Sequence, residues 1–492
     1  MAAVPSRLVA AVSLSVLLTS VPGCFVIRPS QGGGQTMFTP PRKSSTADVA
    51  VPAGYRIEVV VSGLTFPSGI TFDGSGRPHV VETGYSYGEV WTTPRLLRIE
   101  NDGRLTVIAS GGKNGPWTGV TFHQASFYVA EGGQLEGGRI LRISPDGRTT
   151  ALAHDLPSQG DHHTNGPAIG SDGFVYFGQG TFTNSGVVGE ENAEFGWLKR
   201  FPRLHDLACR DVTLAGENFT SGNPLSTGGG RVVTGAMSPF GVATEAGQVI
   251  RGRVPCNGAV MRVPLTGGAV ELVAWGLRNP FGLAFAPDGR LFVTDNGYDD
   301  RGSRPVHGTG DLLWAITPGT WYGWPDFHGR RPLSEGDHFA PPTGPKPQPL
   351  LARHPNVPPA PAAIFGVHSS ANGVDFSRNA AFGHVGEAFV ALFGDQAPVV
   401  GKTMAPVGFK VVRVDVTRGI IEDFATNRGR VNGPGSRIGS AGLERPLAVR
   451  FDPAGTSLYV VDFGVMTMSE RGAEPRKETG VVWRISRSAG GS

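Results

Sequence analysis

Apolar and polar positions alternate with a period of two along most of this chain, in short runs that come in pairs. The pattern is an incoming loop, an apolar run, an Asp-Gly-type turn, a second apolar run and a Gly-rich exit. It reads "FPSGITFDGSGRPHVVETG" at 66–84, "GPWTGVTFHQASFYVAEGG" at 115–133 and "TNGPAIGSDGFVYFGQG" at 164–180. It recurs as "RNPFGLAFAPDGRLFVTDNG" at 278–297, "SANGVDFSRNAAFGHVGEAFVALFGD" at 370–395 and "ERPLAVRFDPAGTSLYVVDFG" at 444–464. Period-two alternation around a tight turn predicts a β-hairpin. Second hairpins lie between the copies, at 95–109, 138–153, 259–274 and 409–425. Two hairpins per repeat make a four-stranded antiparallel blade, and six such repeats close into a six-bladed β-propeller. A β-sandwich gives no reason for six near-identical hairpins.

The repeats are unevenly spaced. Two long loop insertions are predicted, at about 186–257 and 298–365, the second rich in Pro, Gly and aromatics. Excursions on one face of a scaffold commonly shape a pocket. Composition agrees with an all-β chain: 73 Gly, 39 Pro and only 17% charged residues in 492. The net charge of +3 comes without a Lys/Arg cluster, so nucleic acid is set aside.

The first residues read as an export signal over 1–24. Arg7 precedes an apolar run, Leu8–Leu18, which is too short to span a bilayer. "VPGC" at 21–24 resembles a bacterial lipoprotein cleavage site with Cys24 as the lipidated residue. The expected location is therefore periplasmic or at the cell surface, on a lipid anchor. Residues 25–50 read as a flexible tether and 51–487 as the propeller. Cys209 and Cys256 remain, either as a disulfide in an oxidising compartment or as two free buried thiols. There is no Cys-x-x-Cys-His, hence no c-type haem of the chain's own.

In a propeller the innermost strand of each blade lines the central channel. Its incoming loop and the exit of the second strand then share one rim. Incoming loops bring Ser68, Asn114, Trp117, Asp161, His162, His163, Asn165, Arg278, Asn279, His368, Ser369, Asn372, Glu444 and Arg445. Exits bring Glu82, Glu131, Gln179, Asp295, Asn296, Asp395, Gln396 and Asp462. Singly, such residues cap strand ends. As a set containing adjacent histidines and two arginines, they predict a site at the channel mouth.

"LRNPFGLAFAPDGRLFVTDNG", "DLLWAI" (311–316), "WYGWPDF" (321–327) and "DHHTNGPAIGSDG" (161–173) together resemble the glucose/sorbosone dehydrogenase group. The resemblance covers about 50–487. It implies a six-bladed propeller that uses pyrroloquinoline quinone (PQQ) with Ca²⁺ to oxidise a sugar, polyol or sugar aldehyde, passing electrons to an external acceptor. A histidine takes the hydroxyl proton while hydride moves to the quinone. The motif match puts that histidine at His162, with His163 as competitor and Asp161 either orienting the base or capping the turn. Imidazole suits the task because its pKa lies near working pH. Arg278 and Asn279 would hold the anionic cofactor, with Arg445 at the sixth blade and Lys402 or Lys410 near the fifth. Main-chain oxygens at Asn296, Gly297 and Tyr298 would face the calcium ion. The chain departs from the group at "LFGDQAPVVGKTMAP", where relatives carry a His-Gly-Ser-Trp-Asn-type stretch, and at Leu447, where a second arginine is expected. Two other functions suit the same fold: a non-catalytic cell-surface binding propeller, and a calcium-dependent lactonase-like hydrolase using Glu82, Asn165, Asn296 and Asp395.

Overall fold

The computed structural model describes residues 28–488 except 36, 87–89 and 343; the export signal and Cys24 lie outside the described residues. Six antiparallel sheets stand in a ring, each with four blade strands. The inner strands of blades 1 to 6 are Pro67–Phe72, Trp117–His123, Thr164–Ile169, Pro280–Phe285, Ala371–Phe376 and Pro446–Phe451. Each touches the next, and the sixth touches the first. That ring is the six-bladed propeller the repeats predict.

The inner strands crowd around the axis, which explains the Gly near the start of most copies. A Cβ on Gly119 would sit 2.3 Å from the Gly166 carbonyl oxygen, and one on Gly282 would sit 2.2 Å from that of Asn372. No side chain fits there. Neighbouring blades are tied across the same gap: Ser68 Oγ donates to Trp117 O at 2.7 Å, and Thr294 Oγ1 to Asn372 O at 2.6 Å. Further out, apolar faces of adjacent blades interlock, as where Phe72 of blade 1 meets Tyr459 of blade 6 edge-on at 4.9 Å.

The ring is closed by the amino-terminal side of the chain. Tyr55–Leu64 pairs with Gly480–Arg487 and forms the outer strand of blade 6, whose other strands come from the carboxy-terminal end. Its alternating "YRIEVVVSGL" carries no repeat signature and stands outside the six copies.

The expected tether is instead bound to the propeller from Arg28 onward. Gly33 N–H donates to both Asp395 carboxylate oxygens at 3.0 and 3.1 Å. Arg42 pairs with buried Asp462 at 2.6 Å and also donates to the Thr479 and Gly442 carbonyls. Val49–Ala50 adds a short fifth strand to blade 5. A Gly-rich, polar sequence looks like a linker, yet its glycines let the backbone lie flat against Asp395, Phe409 and Met468.

The first insertion leaves blade 3 between its second and third strands. It holds two short helices, Glu190–Glu194 and Trp197–Arg200, and Cys209 is disulfide-bonded to Cys256 with Cα atoms 5.1 Å apart. The second expected insertion is not one loop, because Gly310–Ala315 and Ala363–Val367 within it are the outer strands of blade 4. Fully buried Arg304 ties the two excursions together, bonding Asp326, the Ser185 carbonyl and the Gln348 carbonyl.

Candidate active site

The exits answer why so many acids sit at strand ends. Asp295 lies directly across from Pro280, and Asp462 across from Pro446. Each carboxylate therefore reaches the two backbone N–H groups that precede the proline. Asp295 Oδ1 takes those of Arg278 and Asn279 at 3.1 and 2.7 Å, and Oδ2 takes Trp314 Nε1 at 3.3 Å. Asp462 does the same for Glu444, Arg445 and Trp483. Glu131 holds Asn114 and Trp117, and Glu82 holds the Thr65 N–H and Arg95. These four acids set the angle of the incoming loops. Burial pushes Asp295 up to about 6, against the three donors that stabilise its charge.

Above the channel lies a cavity of about 370 Å³, of ligand-binding size. His162, Asp161, Arg278, Asn279, Asn296, Gly297 and Tyr298 line it, all residues expected at the mouth. His162 sits behind Thr181: Nδ1 lies 3.0 Å from the Thr181 carbonyl oxygen and 3.2 Å from its Oγ1. A carbonyl only accepts, so Nδ1 carries the proton and Nε2 of the neutral ring is the basic nitrogen. Burial lowers the His162 pKa well below its ordinary value, and the guanidinium charges of Arg278 and Arg301 lower it further. His163 points away. Its Nε2 lies 3.2 Å from Gln134 Nε2 and its Nδ1 3.4 Å from the Ser158 carbonyl, and burial lowers it to about 4. Of the two histidines, His162 lines the cavity and His163 does not.

The Asp161 carboxylate bonds to partners other than His162. It pairs with Arg301 at 2.9 Å and accepts from Asn192 Nδ2 at 3.2 Å. Arg301 also pairs with Asp299, and Asp299 with Arg278, both near 2.9 Å. The result is an alternating ladder of charge, Asp161–Arg301–Asp299–Arg278, along one wall. Burial pushes Asp299 up, but the two guanidiniums outweigh it and hold its pKa below the ordinary value. Arg278 spends Nε and Nη2 on Asn184 and Asp299, leaving Nη1 without a partner among the described residues. A chain of amides crosses the floor: Asn165 Nδ2 to Asn279 Oδ1, Asn279 Nδ2 to Asn296 Oδ1, Asn296 Nδ2 to the Ala371 carbonyl, at 2.8 to 3.0 Å.

Three expected cofactor contacts are placed elsewhere. Arg445 is buried beneath the fifth-blade exit, donating to the Gly394 and Asp395 carbonyls between the rings of Phe393 and Phe409. Lys402 donates to the Arg28 carbonyl at 3.3 Å, and Lys410 pairs with Asp423 at 2.7 Å on the blade's flank. None of the three lines the cavity. The strap explains Arg445, because Gly34 packs against its guanidinium. The repeats could not reveal Asn184, which follows the third copy, or Asp299 and Arg301 of the second insertion; the run "DDRG" after "TDNGY" is the only signal of the latter two.

For a metal, no group of three His, Cys, Asp or Glu side chains stands ready among the described residues. Gly297 N–H is held by Asp311 at 2.8 Å, and the Tyr298 carbonyl accepts from Thr309 Oγ1 at 3.0 Å. The Asn296 and Gly297 carbonyls accept no hydrogen bond from a described residue. That donor set suits a hard cation only if ligand oxygens or water complete the shell.

No protein-family model matches the chain, and no curated protein matches it. Solved structures do. The PQQ domain of a pyranose dehydrogenase from Coprinopsis cinerea superposes with a TM-score of 0.53 at 16% identity, covering 91% of this chain and 98% of that one. A carbohydrate-active enzyme of family AA12 from Trichoderma reesei gives 0.54 at 15%, covering 92% and 100%. A PQQ-bound aldose sugar dehydrogenase from Streptomyces coelicolor gives 0.50 at 17%, covering 89% and 100%. At these identities the likeness is one of fold, and it falls on the group that the sequence motifs resemble.

Proposed function

We propose that this propeller is a quinone-dependent dehydrogenase that oxidises a sugar, polyol or sugar aldehyde at the cavity above its channel. The observation that carries the reading is His162, a neutral imidazole with Nδ1 fixed by the Thr181 carbonyl, so that its basic Nε2 serves a cavity it shares with Arg278 and Asn279. Three features fit an anionic, planar cofactor: the partnerless Nη1 of Arg278, the second Nδ2 hydrogen of Asn279, and the apolar side chains of Val399, Val400 and Met468 in the lining. Ca²⁺ would be met by the Asn296 and Gly297 carbonyls. When bound, PQQ supplies a two-electron acceptor for hydride.

The chain's own part is proton transfer and placement. Nε2 of His162 accepts the hydroxyl proton while the carbon bearing that hydroxyl gives up hydride. Burial, and after it the charges of Arg278 and Arg301, keep the ring neutral before the reaction, so a base is available in slightly acidic medium. Asp295 fixes the backbone of Arg278 and Asn279, and the charge ladder fixes the Arg278 guanidinium.

The lactonase-like reading loses its metal shell, because Glu82 is committed to Arg95 and Asp395 to Gly33. We further propose export and lipid anchoring at Cys24. The described residues contain no helix long and apolar enough to cross a membrane.

The test is reconstitution of purified protein with PQQ and Ca²⁺, followed by sugar-dependent dye reduction. Saturable quinone binding with turnover supports the reading. Absence of binding at micromolar quinone sinks it and leaves the binding propeller.

A further inference from the structure

We infer that the cavity mouth contains a subsite for the carboxylate of a sugar acid, formed by Phe195, Arg200 and Arg471. This rests on the dehydrogenase reading and names its substrate class. Phe195 follows the first short helix of the blade-3 insertion and is 45% exposed, unusual for a phenylalanine at a polar rim. The Arg301 guanidinium lies 5.3 Å from its ring centre, covers one face and holds the ring in place. A pinned aromatic ring beside a cavity offers the C–H face of a pyranose a surface to stack on. On the next helix, Trp197 is buried in the insertion's own core, which fixes the helix so that Arg200, at its end, also lines the cavity. Arg471 comes from a different element, the Met466–Pro475 hairpin of blade 6.

Charge accounting separates these two arginines from the deeper pair. Arg278 and Arg301 are balanced by Asp299 and Asp161. Asp311 is held by Gly297 N–H, Ala371 N–H and Ser369 Oγ, within the wall. Among the described residues the side chains of Arg200 and Arg471 have no ion pair or hydrogen bond. Across the lining four arginines face three aspartates, and the two arginines without a carboxylate partner, Arg200 and Arg471, give the mouth its positive charge. A guanidinium binds a carboxylate in forked geometry, and a positive mouth draws in anions. A neutral sugar would use neither arginine. A hexuronate, with a ring to stack and a carboxylate to pair, uses all three residues.

The experiment is calorimetric titration of quinone-free protein with D-glucuronate and with D-glucose, for wild type, Arg200→Ala, Arg471→Ala and Phe195→Ala. All three side chains are exposed or on the rim, and Arg200→Lys keeps the charge as a folding-neutral control. Glucuronate should bind about tenfold or more tighter than glucose. Either arginine variant should lose most of that preference, Arg200→Lys should keep part of it, and Phe195→Ala should weaken both sugars. Raising the salt concentration should erode the glucuronate preference. Equal affinity for the two sugars, no glucuronate binding at millimolar concentration, or a preference that survives removal of both arginines overturns the subsite. Dye reduction after adding PQQ to the same protein tests the underlying reading separately. Selective binding with no turnover of any sugar sinks the dehydrogenase but not the subsite; turnover without selectivity sinks the subsite alone.

Discussion

Asp295→Asn gives the sharpest test of how the site is held. Asp295 is buried, takes two backbone N–H groups and one indole N–H, and has its pKa pushed up from 3.8 to about 6. In the unfolded chain the carboxyl titrates at its ordinary value, so the folded state binds the proton more tightly. Stability from this group is complete below pH 4 and is lost as pH rises through 6. The shift of about two units at 1.36 kcal/mol each corresponds to about 3 kcal/mol. Asparagine keeps an acceptor for the Arg278 and Asn279 N–H groups but does not titrate. It turns its amide toward Trp314 Nε1, losing that bond at a cost of about 1–2 kcal/mol. Urea unfolding of both proteins at pH 4 and pH 7.5 isolates the effect. The variant should be the less stable at pH 4, and its stability relative to wild type should improve by about 3 kcal/mol at pH 7.5. A difference independent of pH would refute the idea that a buried, unpaired carboxylate clamps this loop.

Other consequences follow from the same geometry. His162→Ala should abolish sugar oxidation by the reconstituted protein while leaving quinone affinity within a few-fold. His163→Ala, which empties space inside the blade, should lower thermal stability by about 2–4 kcal/mol and leave residual turnover in the folded fraction. Because burial and two guanidiniums hold His162 below its ordinary pKa, the acid limb of kcat/KM should lie below pH 6.5; a limb at 7 or above contradicts that environment. Arg42→Met breaks a buried pair with Asp462 and should lower the unfolding free energy by about 3–5 kcal/mol, whereas a true tether would tolerate it without change.

The propeller was legible because a two-residue period and a turn repeat six times, with a close-approach glycine in the first five copies, and each has a physical cause visible in the structure. The rim residues were legible for the same reason: Arg278, Asn279, His162 and Asn296 sit at repeat boundaries, and the register of the hairpins brings them together. What the repeats could not show lies outside them. Tyr55–Leu64 closes the ring without a repeat motif. Arg28–Arg42 resembles a linker because glycine serves a flexible chain and a closely packed strap equally well. Arg445 shows the limit of motif transfer. It occupies the expected position in the sixth blade, but the strap and the fifth-blade exit enclose it. A second cation beside His162, besides Arg278, arrives from the second insertion as Arg301. Long loops carry no periodicity from which that placement could be read.

The most direct measurement of the central claim is anaerobic and single-turnover. Protein reconstituted with PQQ and Ca²⁺ is mixed with an excess of sugar, and the quinone absorbance is followed. Wild type should bleach at a rate that saturates with sugar, while His162→Ala, holding the same amount of quinone, should remain oxidised. Equal bleaching in the two proteins would show that His162 is not the base and that the site proposed above the channel does not perform the chemistry assigned to it.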